Sequence, residues 1–419
     1  MSVEYDGVAG LELARYLRPG DTVVWGQACG EPLSVTEALV AQRESLPGLR
    51  CFLGIPCSDT VRPEHADHLR FVSYSGAGAN QALLSAGVLD LLPCHYSALP
   101  AILASGPLRA EVVMLALPPA RPDGRHGLGV CADYVGALVS QARIVIAEVS
   151  EQIPDVGCEP TLSGDDIDVI VHTRRPPAEY YSTRPMGEVE TAITGLVAGL
   201  VPDGATLQVG IGSMPSLVLA DLAGHRDLGV HSGMITDAVA ALIETGAVTG
   251  ARKSADRGQV VTGFLMGTGS LFRQAADNPA VVLRDTTYVH DPDVIAAQYR
   301  LTAINAAIEI DLTGQVNTEV MRGRYVGAVG GAADFMRGAA RSPGGLPITV
   351  LPSTAGAASR IVSRLGGPAS VARSDAGVIV TEHGVADLRG LPLAGRVERM
   401  LAIADPAHRD ALAADLAGR

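Results

Sequence analysis

The chain runs to 419 residues, more than one ordinary core accommodates, so two domains are expected. Hydrophobic residues make up 47% and aromatics only 4%, which points to aliphatic cores of the kind that buried parallel strands and their covering helices build. A formal net charge of −13, with no face-sized block of Lys and Arg, argues against nucleic acid as the main partner, while a local basic spot for a phosphate stays open.

In chain order, the first residues carry acids at Glu4 and Asp6 and no apolar stretch of signal-peptide type. Segment 18–39, RPGDTVVWGQACGEPLSVTEAL, reads as a turn, a buried strand, a glycine loop and a helix, with Ser34 and Glu37 at capping-box spacing. The best candidate for a membrane span, Leu91 to Pro107, is broken by prolines and falls short of the roughly 18 apolar residues required. Strand patterns follow at EVVMLAL (111–117), ARIVIAEV (142–149) and DIDVIVHT (166–173). The six cysteines, Cys29, Cys51, Cys57, Cys94, Cys131 and Cys158, form no C-x-x-C pair and read as reduced, mostly buried thiols of a cytoplasmic protein.

Segment 173–188, TRRPPAEYYSTRPMGE, is rich in proline and charge and reads as the join between domains 1–180 and 181–419. Val189, Ile193, Leu196, Val197 and Leu200 then fall at helical spacing. Segment 201–222, VPDGATLQVGIGSMPSLVLADL, echoes the first copy: Gly204, Thr206 and Gly210 align with Gly20, Thr22 and Gly26, a proline follows in each, and Ser213 is placed to cap the next helix. Further strands are expected at PITVLPST (347–354) and AGVIVTE (376–382), and Asp405–Pro406 reads as the start of a last helix. Strands alternating with helices predict an α/β fold with largely parallel sheets.

Three glycine-rich turns follow apolar runs: QVGIGSMP (208–215), FLMGTGSLF (264–272) and YVGAVGGAADF (325–335). Glycine lets a ligand approach the backbone closely, and bare N–H groups can face an anion or a carbonyl oxygen. None is a P-loop, and GIGSMP lacks the third glycine of a dinucleotide fingerprint. GVHSG, 229–233, is not a nucleophile elbow, and no His/Cys cluster suggests a metal. A short strand at Leu228–Val230 leads into His231, Ser232 and Gly233. His231 reads either as a base on the face it shares with Gly233 or as a hydrogen-bonded structural residue. Glu319 and Asp237, the nearest carboxylates by motif, read as catalysts or as solvated or capping residues.

Taken together, QVGIGSMP, LGVHSGM, FLMGTGSLF, DNPAV, INAAIEIDLTGQVNTE, GAVGGAADFMRGA, LPSTAGAASRIV, VTEHGVADLRG and IADPAHR, in this order, closely resemble the acetyl-CoA hydrolase/transferase family, which includes 4-hydroxybutyrate and acetate CoA-transferases. The first half matches more loosely, in LRPGDTVVWG, LALPPARPDGRHGLGV and DYVGALVSQARIVIAEV. The resemblance implies two CoA-transferase-type (NagB-like) α/β domains with the site at their interface, commonly a homodimer, and acyl-CoA as substrate without a metal or nucleotide redox cofactor. It places Gln208, Gly210, Gly212, Gly233, Gly267, Gly327, Gly330 and Gly331 at the CoA and thioester, with backbone N–H groups of 326–335 and near Gly210 and Gly212 polarising the thioester carbonyl.

In the family, a glutamate that follows the GVHT segment attacks the thioester and carries CoA covalently. Here that position is Gly233, and the family's S-L-G reads Gly127-Leu128-Gly129. Three readings follow. The first is an acyl-CoA enzyme acting by acyl or CoA transfer or thioester hydrolysis without the glutamate, with His231 as base. The second is a standard carboxylate CoA-transferase with Glu319 standing in. The third is a non-catalytic acyl-CoA binder or partner subunit.

Overall fold

The computed structural model describes residues 2–181 and 186–417; of the expected join, residues 182–185 lie outside the described residues. The chain divides into two compact units, one of residues 1–181, 233–237 and 261–289, the other of 182–232, 238–260 and 290–419.

The first unit is built on an eight-stranded, wholly parallel sheet. Its order is Val3–Asp6, Val169–Thr173, Ile144–Ser150, Val112–Leu117, Thr22–Trp25, Arg50–Leu53, Arg70–Ser73, Leu89–Leu91. Strands covered on both faces read as continuous apolar runs, and Val112–Leu117 is buried at every residue but one. The core is aliphatic, centred on residues such as Leu13, Val23, Leu39, Met114 and Ile146. Strand order turns about Thr22–Trp25: later strands build outward on one side as 50–53, 70–73 and 89–91, and on the other as 112–117, 144–150 and 169–173. Such a switch point opens a crevice at the carboxyl ends of the strands. The loop Gly26–Glu31 leaves the sheet there.

The second unit repeats the device. Thr206–Val209 lies between Leu301–Ala306 and the start of Gly229–Ile235, with Leu346–Val350 and Val378–Thr381 beyond, all parallel, and Gly384–Asp387 antiparallel at the edge. The loop Gly210–Gly212 leaves this switch point and opens the helix Ser213–Ala220. The two segments that echo each other in sequence therefore do the same job in the two sheets. Each strand is preceded by a left-handed glycine, Gly20 at φ +87° and Gly204 at φ +74°.

Local expectations fare unevenly. The last helix begins as expected, with Asp405 accepting from the Ala407 N–H at 2.8 Å. The Ser34/Glu37 capping box does not form: helix Leu33–Ala41 starts after Pro32, and Glu37 pairs with Arg175 instead. Buried Glu148, on strand Ile144–Ser150, supplies the cap, accepting from the Ser34 N–H at 2.8 Å and from Ser34 Oγ at 2.6 Å. Ser213 is the first helical residue behind the N-cap Gly212, and no side chain caps that helix. Nor is GVHSG a polar tip: strand Gly229–Ile235 runs straight through it. Among the described residues, no helix is long and apolar enough to cross a membrane.

Candidate active site

In the second unit, Gln208, next to last in the central strand, is half of a buried amide pair: Asn305 Nδ2 donates to Gln208 Oε1 at 2.9 Å and Gln208 Nε2 to Asn305 Oδ1 at 3.3 Å. This brings Asn305 Oδ1 within 2.5 Å of where a Cβ on Gly210 would stand, so only glycine fits. Gly212, at φ +134°, then turns the backbone into the uncapped N-terminus of helix Ser213–Ala220, with Ile211 half-exposed at the tip. First-turn N–H groups of a helix carry partial positive charge and are suited to an oxyanion or phosphate.

The turn 326–331 is held from below by Glu319. Its carbonyl accepts from the N–H groups of Val326 (2.7 Å) and Gly327 (3.0 Å), while Ala328 N–H donates to Thr318 O. Its carboxylate, almost fully buried, accepts from Tyr325 Oη at 2.8 Å and Ser370 Oγ at 2.7 Å. Both oxygens of the expected stand-in nucleophile are thus engaged in shaping the turn. The expected oxyanion donors need the same correction: the N–H groups of Gly210, Val326, Gly327 and Ala328 already serve carbonyls of Ile304, Glu319 and Thr318. Gly330 turns left-handed at φ +58°, and Gly331 is the N-cap of helix Ala332–Arg341, again without a capping side chain.

His231 is completely buried. Its Nδ1 lies 3.5 Å from Gln298 Nε2, and its ring meets Phe335 edge-on at 6.4 Å, with His290 on the same phenyl ring at 4.9 Å. Burial, and then the neighbouring His231, push the His290 imidazole down to about 3, so it stays neutral in this cluster. His231 thus lies within a buried cluster, its ring against Phe335 and beside Gln298.

The same unit carries an open groove of about 640 Å³ between the hairpins around Met321–Arg322 and Thr354–Ser359. Val189, Ile308, Met321 and Pro352 give it an apolar wall. Its volume lies in the ordinary range for small-molecule sites.

In the first unit, half-buried Gly233 lies in strand Gly229–Ile235, its carbonyl oxygen 2.8 Å from where a Cβ on Gly263 would be. The Gly267 turn is fixed by Asp237, whose carboxylate accepts from Thr268 N–H (3.1 Å) and Thr268 Oγ1 (2.6 Å) and fills the space a side chain on Gly267 would need. Asp237 is therefore a turn-holding residue. Of the three glycine turns, 208–215 and 325–335 belong to the second unit and Gly267 to the first.

Sequence reasoning missed a buried network at the first switch point. Asp133, fully buried and left-handed at φ +36°, accepts from Tyr96 Oη, from Thr286 Oγ1 at 3.0 Å and from Gln27 Nε2 at 2.5 Å, while Tyr74 Oη donates to Gln27 Oε1 at 2.7 Å. Burial pushes the Asp133 carboxyl up to about 6, against the three hydrogen bonds that hold it down. In sequence Asp133 is one acid after a glycine turn, and nothing local ties it to Gln27 or Tyr96.

Comparison with known proteins settles the lineage. Residues 4–177 match the acetyl-CoA hydrolase/transferase N-terminal domain and residues 267–416 the C-terminal domain of the same family. The chain belongs to the acetyl-CoA hydrolase/transferase family. It is 34% identical over 396 residues to the 4-hydroxybutyrate coenzyme A transferase of Clostridium kluyveri, covering 93% of this chain and 92% of that one. RipA from Yersinia pestis superposes with a TM-score of 0.90 at 33% identity, over 96% of this chain and 94% of that chain. The 4-hydroxybutyrate CoA-transferase from Porphyromonas gingivalis superposes with a TM-score of 0.82 at 31% identity, over 100% and 98%. The two-domain α/β fold with parallel sheets, and the class of acyl-CoA-using enzymes, come with this family.

Proposed function

We propose that the protein is an acyl-CoA-using enzyme that transfers or hydrolyses the acyl group without a covalent glutamyl intermediate, Gly233 standing where the family's nucleophile is expected. The observation that carries this is the engagement of the candidate replacement: Glu319 is buried with both carboxylate oxygens hydrogen-bonded beneath the 326–331 turn. Asp237 is likewise engaged by Thr268. An acceptor, water or another small nucleophile, then attacks the thioester carbon directly, in one displacement that releases the CoA thiolate.

In this reading the groove of the second unit receives the pantetheine arm along Val189, Ile308, Met321 and Pro352. The uncapped helix start behind Gly212 faces the developing oxyanion or a phosphate. His231 is left to packing rather than proton transfer. The domains 1–180 and 181–419, a homodimer, a cytoplasmic location and the lack of a metal or nucleotide redox cofactor belong to the same proposal. Six free thiols and the acidic charge favour the location.

The test is intact-protein mass spectrometry during turnover of acetyl-CoA or a longer acyl-CoA. Steady thioester loss with no CoA adduct on the chain is expected. A protein-bound CoA thioester would show that a carboxylate does act as nucleophile, and absence of turnover with tight acyl-CoA binding would reduce the protein to a binder.

A further inference from the structure

The sequence offers no C-x-x-C pair, yet the fold of the first unit brings two distant cysteines together. Ala28 and Pro56 form an isolated parallel bridge, with the Ala28 N–H donating to Ile55 O at 2.8 Å. The next residues along the two segments are Cys29 and Cys57. Adjacent strands lie about 4.8 Å apart, inside the Cα separation of about 4.4–6.8 Å that a disulfide spans. Each thiol is the largest influence on the other's ionisation, and both are free.

The pair is asymmetric. Cys29 is completely buried, and its Sγ lies 3.9 Å from the Gly267 carbonyl oxygen. Cys57 is partly exposed. The interaction with Cys57 holds the Cys29 thiol below the usual range, and the same interaction pushes the Cys57 thiol up. The two therefore titrate as a unit, sharing the first negative charge.

We propose that Cys29 and Cys57 are a dithiol that closes reversibly to a disulfide, with a small-molecule disulfide as oxidant and Cys57 as the residue it reaches first. In the first step Cys57 gives its proton to solvent, from which the second departing thiolate later recovers one, and attacks one sulfur of the small disulfide. A mixed disulfide forms and one small thiolate leaves. Cys29, its proton going to that thiolate, then attacks the Cys57 sulfur. The protein disulfide forms and the second small thiol departs, so two cysteine thiols are oxidised as one small disulfide is reduced to two thiols. Closure ties the Gly26–Glu31 loop to 55–58 and withdraws Cys29 from the Gly267 carbonyl, so the modification acts on a turn of the candidate site. It does not depend on which reaction that site performs.

The experiment uses the reduced full-length chain, incubated with oxidised glutathione, alkylated, and mapped by unreduced peptide mass spectrometry. Expected are the loss of two alkylatable thiols, a peptide linking Cys29 to Cys57, and full reversal by dithiothreitol. Cys29→Ser should trap a stable glutathione adduct at Cys57. Cys57→Ser should leave Cys29 alkylatable on denaturation and free of adduct, which also covers the case of a poorly folded Cys29→Ser. A wild-type chain that keeps glutathione on Cys57 while Cys29 is alkylated, or that links Cys29 to neighbouring Cys131, overturns the proposal, as does a chain that keeps all six thiols.

Discussion

The carboxylate of Asp155 occupies the space that a Cβ on Gly127 would need, held there by two 2.7 Å hydrogen bonds from Arg121. Restoring a serine at 127 must push that carboxylate off its partner. The displaced atom is the end of a half-exposed side chain, so the cost is small. Gly127→Ser should lower stability by up to about 1 kcal/mol, the usual worth of such a pair, and cost nothing further once Asp155→Ala has removed the obstacle. Two positions on, Gly129 sits at φ +60° with the Ala116 carbonyl oxygen 2.7 Å from its would-be Cβ. Gly129→Ala should cost about 1–2 kcal/mol or more. A urea-denaturation double-mutant cycle checks both.

Glu319 separates a scaffold from a nucleophile. As scaffold, Glu319→Ala removes the acceptor that the Tyr325 and Ser370 hydroxyls share and should cost about 1–3 kcal/mol. Glu319→Gln keeps one acceptor oxygen and should leave kcat within a few-fold of wild type while raising KM for acyl-CoA. A Gln variant that folds, binds acyl-CoA and turns nothing over would return Glu319 to the chemistry.

Two buried groups impose opposite pH dependences. His290 is held down to about 3 from an ordinary 6.5, so the unfolded chain takes up the proton first. Its contribution is complete above 6.5 and is lost as pH falls toward 3. Asp133 is pushed up to about 6 from 3.8, so its contribution is complete below 3.8 and is lost as pH rises through 6. Between these values the slopes offset each other, each up to about tenfold in the folding constant per pH unit. Asp133→Asn should expose the His290 slope, with stability rising from about pH 4 to 6, and His290→Gln the reverse. Unchanged urea midpoints across that range in both variants would refute the assignment.

The apolar wall of the second unit's groove gives a binding test. Met321 is 47% exposed, so Met321→Asp should leave folding intact. If the pantetheine arm lies against it, KM for acyl-CoA rises about tenfold, the equivalent of roughly 1.4 kcal/mol of lost contact, with kcat little changed. Unaltered KM moves the ligand elsewhere.

What could be read from the sequence follows from range. Parallel strands such as 112–117 and 378–381 are visible because burial on both faces leaves a continuous apolar run. The echo of 18–39 in 201–222 marked both switch points because the glycine turn, strand and helix are all local. Apart from Asp405, caps and site residues are not visible in the same way. Glu148 reaches Ser34 across 114 positions, and Gln27 reaches Asp133 across 106. The two readings of His231, base or structural residue, stay open in the sequence because nothing nearby announces Phe335 and Gln298 around it.

Gly233→Glu asks whether only the nucleophile is missing. The glycine is half-buried in an intact strand whose alternation puts a new side chain on the face opposite Ser232. Ser232 itself is tied to Val209, 3.3 Å from both its N and its O. If the surrounding pocket is otherwise that of a CoA-transferase, the variant should accumulate a protein-bound CoA thioester with acyl-CoA and exchange CoA onto an added carboxylate. Both are readable by intact mass and by acetate-dependent thioester exchange, and the wild type should do neither. A variant that folds and binds acyl-CoA yet forms no adduct would mean that more than residue 233 has changed, Gly127 in the family's S-L-G segment being the first departure to reverse.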